Sequence, residues 1–217
     1  MHLARTHSVL LIGHSFVWRM ERKGEGFQLD RTRSEVDFCG YIQGRPLNLI
    51  QQLIDYLPQF HEGFELPDVI IFILGSTDLA SKPDESPFGL ALQLAAVAKW
   101  FLRRGTSRVV FTEVLPRFGA QAFRPCPQFL WQAHIDCYTV HQAEMLFQRR
   151  AAAFNATLRC FTRACNQCSF MKLRGLHDGI RNQLEDGLHL SIVGCRKLHA
   201  ALRRAMIVEL CRCESRY

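Results

Sequence analysis

Apolar positions along this chain fall into two rhythms, short unbroken runs and longer stretches spaced at helical intervals. The run from Ser8 to Ile12 ends at Gly13, the length and continuity expected of a strand buried on both faces. A charged stretch from Arg19 to Ser34 follows and predicts a short helix and a loop; Val36 to Cys39 forms a weaker second strand before Gly40 and Gly44. From Pro46 to Phe60, Leu47, Ile50, Leu53, Ile54 and Leu57 recur at helical spacing, and proline suits the first helical turn. The clearest strand is Val69 to Leu74, stopped by Gly75. Phe88 to Arg104 reads as a helix closed by Gly105, and Arg108 to Val114 as a fourth strand stopped by Pro116. About 25 irregular residues lead to Val140, with Phe118, Phe123, Phe129 and Trp131 among them. Gln142 to Arg163 is a long helical pattern, Ser169 to Leu173 a fifth strand, and Ser191 to Leu210 a last helix.

Strands separated by helices predict an α/β fold. A three-layer sandwich is expected, with a five-stranded, mainly parallel, flavodoxin-like sheet and helices on both faces. Neither a repeat nor a linker interrupts residues 1–217, so a single domain is expected. In such sheets ligands bind beyond the carboxyl ends of the strands, where strand order reverses. Residues just after each strand are therefore the place to look for chemistry.

Hydrophobic residues at 48% and charged residues at 22% describe a globular chain and argue against disorder. No apolar run reaches the roughly 18 residues that span a bilayer, and the N-terminal run ends in a turn rather than a cleavage site. The nine cysteines, an odd number in a chain too large to need disulfides, are expected as reduced thiols in an intracellular, cytoplasmic protein. The net charge of +7 leaves room for contact with anionic surfaces or nucleic acid. However, Arg103-Arg104, Arg149-Arg150 and Arg203-Arg204 lie within helical patterns and read as solvated helix faces. Cys160, Cys165 and Cys168 lack a second ligand pair, so neither a metal nor a cofactor is expected.

Three short motifs carry the candidate chemistry. Gly13-His14-Ser15 places a serine at a strand-to-helix turn, where free helix N–H groups can face a developing anion; an N-cap serine would look the same. Gly75-Ser76-Thr77-Asp78 follows the third strand. Asp186-Gly187-Leu188-His189 precedes the last helix, and its spacing lets a carboxylate hold an imidazole that could activate a serine. A surface turn with capping residues is the competing account of that segment. His177-Asp178 are adjacent and diverge, which makes them the weaker pair, and His14 is placed to line a pocket.

In order and placement these motifs resemble the first, third and fifth sequence blocks of the SGNH/GDSL hydrolases. The resemblance implies esterase chemistry on a small-molecule or lipid ester without a cofactor. Ser15 would be the nucleophile, His189 the base and Asp186 its orienting carboxylate. The oxyanion hole would comprise the Ser15 N–H, a glycine N–H from Gly44 (or Gly40), and the residue at position 77. Two departures stand out: His14 replaces the usual aspartate, and Thr77 replaces an asparagine whose amide donates to the oxyanion. The departures also allow a weak or inactive domain kept as a binding module, such as those carried by some transposable elements. A nucleotide-binding flavodoxin-like protein is disfavoured, because Gly13-His14-Ser15-Phe16-Val17-Trp18 has one glycine and a bulky run where phosphate would sit. Phe123, Phe129 and Trp131 suit either an acyl-binding wall or anchors for their loop.

Overall fold

In the computed structural model every apolar run becomes a strand of one parallel sheet. The structure describes residues 7–13, 15–22, 34–40, 49–56, 65–81, 85–119, 140–176 and 183–214. Strands β1 (His7–Gly13), β2 (Ser34–Gly40), β3 (Val69–Ile73), β4 (Arg108–Thr112) and β5 (Cys168–Met171) lie in the order β2-β1-β3-β4-β5. All four pairings are parallel. Helices α1 (Ser15–Arg22), α2 (Leu49–Tyr56), α3 (Ser76–Ser81), α4 (Pro87–Arg103), α5 (Val140–Ala164) and α6 (Ile192–Glu214) cover both faces.

The layers follow from the two-residue period of a strand. Leu10, Ile12, Ile70, Phe72, Val109 and Phe111 face one side and pack against α2, α4 and α5. Val9, Leu11, Val69, Ile71 and Val110 face the other and pack against Val17 and Met20 of α1 and Leu198, Leu202 and Met206 of α6. Both faces of β1 and β3 are dry over Val9–Ile12 and Val69–Ile73, which is why those two strands read as unbroken apolar runs. Phe72 stacks on Phe111 with ring centroids 5.7 Å apart, tying two strands together on the α4–α5 side.

Residues Ser76–Ser81, to which the apolar pattern assigns no element, form a short helix. Gly75, at φ +102°, makes the abrupt entry into it, and a Cβ there would lie 2.8 Å from the Phe154 ring. Arg150 was expected on a solvated face and is buried instead. It donates from Nε to Leu79 O at 3.2 Å and from Nη2 to Glu85 O at 2.8 Å, because these carbonyls at the end of α3 and beyond need donors away from water.

At the amino-terminal edge of the sheet, Arg108 and Glu209 form a buried ion pair, Nε to Oε2 at 2.7 Å, and Arg108 also donates to the Asn166 carbonyl. Removing one partner strands the other charge in the core. Glu209→Ala is therefore expected to cost about 3–5 kcal/mol in urea denaturation. The double variant Arg108→Met, Glu209→Leu is expected to recover most of that loss.

Candidate active site

Strand order reverses between β1 and β3, so the crevice of this sheet opens at their carboxyl ends. Three of the sequence-predicted segments border it. Ser15 is the first residue of α1, after β1; Gly75 to Asp78 follow β3; and residues 183–191 lead into α6. The side chain of Ser15, along with His14, Gly44, His177, Asp178, Phe123, Phe129 and Trp131, lies outside the described residues. Gly40 ends β2, opposite Gly13.

The turn before α6 is a closed unit. Leu184 and Leu190 form an antiparallel bridge, Glu185 N–H donates to His189 O at 2.8 Å, and Ser191 N–H donates to Gln183 O at 2.7 Å. Ser191 Oγ then accepts the Gly194 N–H at 3.3 Å and caps the helix. Inside the turn, Asp186 Oδ1 accepts the N–H groups of Leu188 at 3.0 Å and His189 at 2.7 Å. Its other oxygen, Oδ2, lies 2.7 Å from His189 Nδ1.

Burial by itself would raise the Asp186 pKa. The hydrogen bonds from the His189 backbone and ring and from Leu188 outweigh it and hold the carboxyl at about 2. An ionised carboxylate only accepts, so the proton between the pair belongs to His189 Nδ1. In a neutral imidazole so held, the lone pair is on Nε2, the nitrogen that can take a proton. The His189 side chain keeps 23% of its surface exposed, enough for a ligand to reach it.

What seats this turn is backbone contact with the segment after β4. Phe118 N–H donates to Gly187 O at 2.9 Å. Gly187 has φ +78°, and a Cβ there would fall 1.5 Å from Phe118 O, so only glycine fits. On the opposite flank Arg19 of α1 meets Glu185 at 3.6 Å. Phe16, which follows Ser15, and Leu188, which precedes His189, line one cavity of about 20 Å³ with Ser76 and Arg117. The chain's first helical turn and the turn before α6 thus share a wall.

Thr77 is half-buried in the first turn of α3, between Ser76 and the fully buried Asp78. Asp78 Oδ1 accepts the Ile50 N–H at 3.0 Å and fixes the start of α2 against α3. Sequence reasoning missed Arg117, a buried guanidinium whose Nε donates to Ser76 Oγ at 3.0 Å. Burial pulls its pKa down to about 10, against the opposing pull of Asp78 and Asp186, and it stays charged at neutral pH. Its position shortly after a strand end was the available signal. Among the described residues no three His, Cys, Asp or Glu side chains gather as a metal site, and Cys160, Cys165 and Cys168 are free thiols. No described helix is long and apolar enough to cross a membrane.

No protein-family model matches the chain, and no curated protein matches it. Solved structures do. A GDSL-like lipase from Bacteroides thetaiotaomicron superposes with a TM-score of 0.59 at 16% identity, over 91% of this chain and 86% of that one. Est24, a carbohydrate acetylesterase from Sinorhizobium meliloti, gives 0.60 at 14% identity over 94% and 99%. The M. smegmatis aryl esterase gives 0.55 at 16% identity over 93% and 98%. At such identities the likeness is one of architecture: the chain has the fold of the SGNH/GDSL hydrolases.

Two outcomes test this geometry. Gly187→Ala is expected to destabilise the protein by about 1–3 kcal/mol, measured by urea denaturation, because the turn must leave Phe118. A carboxyl whose folded pKa lies below its unfolded value near 3.9 stabilises above that value, and the contribution fades as pH falls towards 2. The stability gap between wild type and Asp186→Asn is accordingly expected to be full above pH ~5 and to close towards pH ~2.

Proposed function

We propose that this protein is a serine hydrolase of the SGNH/GDSL type that cleaves a carboxylic ester through an acyl-enzyme. The observation that carries the reading is the Asp186–His189 pair at 2.7 Å, on the edge of the sheet where Ser15 begins α1. The shared fold of known esterases supports it. The proposal treats residues 1–217 as one hydrolase domain.

In this mechanism the Ser15 hydroxyl attacks the ester carbonyl carbon while His189 Nε2 removes its proton. Asp186 keeps Nδ1–H in place and stabilises the imidazolium that forms. The tetrahedral oxyanion is met by the Ser15 N–H, a Gly44 N–H and the Thr77 hydroxyl. Collapse breaks the bond to the alcohol oxygen, which leaves with the proton from His189. Water then attacks the acyl group by the same route and releases the acid, restoring Ser15. No metal or cofactor enters any step.

Threonine reaches less far than asparagine and aims its donor less firmly. A lost oxyanion donor costs roughly 10²–10³ in rate, so slow turnover is the expected phenotype of position 77. Three measurements test the reading. A fluorophosphonate probe is expected to label wild type and not Ser15→Ala, and hydrolysis of p-nitrophenyl acetate is expected to vanish with the label. Asp186→Asn is expected to lower kcat by about 10²–10⁴ through the wrong imidazole tautomer. Thr77→Asn is expected to raise kcat by about 10-fold or more. Unlabelled wild type, with no turnover of the acetate ester, would overturn the proposal.

A further inference from the structure

Arg117 takes part in neither the Asp186–His189 pair nor the sheet, yet only 7% of its surface is exposed. A buried cation needs a reason, since desolvation is costly unless partners replace the lost water. Its neighbours supply one. Nε donates to Ser76 Oγ at 3.0 Å, so the side chain grips the first residue of α3, directly before Thr77. The guanidinium carbon stands over the ring of Phe147 on α5, 5.2 Å from its centroid, within cation–π range. Asp78 and Asp186 both attract it. The next residue, Phe118, donates its N–H to Gly187 O and so holds the turn that carries Asp186 and His189.

This setting does not suit a subsite for an anionic substrate. Two carboxylates already answer the charge, and the guanidinium is buried against an aromatic ring. What the arrangement does is join two turns that are far apart in sequence. We propose that Arg117 is a positioning residue: it sets the first turn of α3 through Ser76, while its neighbour Phe118 sets the Asp186–His189 turn. One dipeptide would then fix the spacing between Thr77 and His189. The inference rests on the hydrolase reading above. Lysine would not serve, because a single ammonium has no fork that can donate to Ser76 from one nitrogen while the rest of the group stands over Phe147.

The test uses the full chain and p-nitrophenyl acetate. Arg117→Gln and Ser76→Ala are each expected to lower kcat by about 10²-fold, the scale of an ångström's misplacement, with KM within about 3-fold of wild type. Ser76→Thr, which restores a hydroxyl, is expected to recover most of the rate. The double variant Thr77→Ala, Arg117→Gln is expected to lose little more than the worse single variant, because both act on one turn. A folded Arg117→Gln with wild-type kcat, or losses that multiply in the double variant, would overturn the proposal. If Arg117→Gln does not fold, Ser76→Ala and Ser76→Thr decide it. Wild type without turnover would refute the hydrolase reading alone, and the tie would then be read by amide hydrogen exchange. Arg117→Gln is expected to speed exchange in both residues 76–79 and residues 185–190, and faster exchange in only one of them would refute the tie.

Discussion

The parallel pairing of β1 with β2 on one side and β3 on the other is the constraint from which the rest of the molecule follows. It satisfies the backbone of β1 along both edges and buries its side chains on both faces, which only a helix-covered sheet permits. Because β2 lies to one side and β3 to the other, the connections leaving β1 and β3 part company above the sheet. The residues after those two strands therefore border one gap, and the turn before α6 closes its rim.

Polar chemistry at that edge is held by α5 as much as by the sheet. Glu144 Oε1 accepts the Gly119 N–H at 2.7 Å, and Arg150 donates to the carbonyls of Leu79 and Glu85. Asn155 brackets Val114, accepting its N–H at 3.0 Å and donating to its carbonyl at 3.2 Å. Arg159 meets Glu113 at 2.9 Å, and the same carboxylate accepts the Leu173 N–H at 3.3 Å. Each of these side chains answers a backbone group or a charge that would otherwise be dry. The segments after β3 and β4 are thus held at defined positions, and Arg117 and Phe118 inherit that rigidity when they touch α3 and the Asp186–His189 turn.

The layered fold was legible because its signal is local. Val69 to Leu74 is apolar without interruption, Val109 to Phe111 is the apolar centre of the next strand, and the helices between strands repeat at their own period. α3 was not, because Ser-Thr-Asp after a glycine is the composition of a turn, and Leu79 is its one large apolar anchor. Arg150 and Arg117 escaped for a different reason. Their hydrogen-bond partners lie 41 to 71 residues away, and nothing in the flanking sequence separates a buried arginine from a solvated one. Asp-x-x-His stood out because both of its members, and the N–H groups that hold the carboxylate, fall within four consecutive residues.

That contrast in range has a kinetic meaning. The turn from Gln183 to Ser191 closes on itself with its own hydrogen bonds, so it can take shape as soon as its few residues are free to fold. Ser15 lies about 170 residues earlier, and only the completed sheet, with α1 and α6 docked on the same face, brings the two segments to a common wall. Contacts of such long range form late, after the loop-closure entropy has been met by the sheet itself. The meeting of α1 with the 183–191 turn is therefore a signature that the chain has finished folding, one that helix content alone would not reveal.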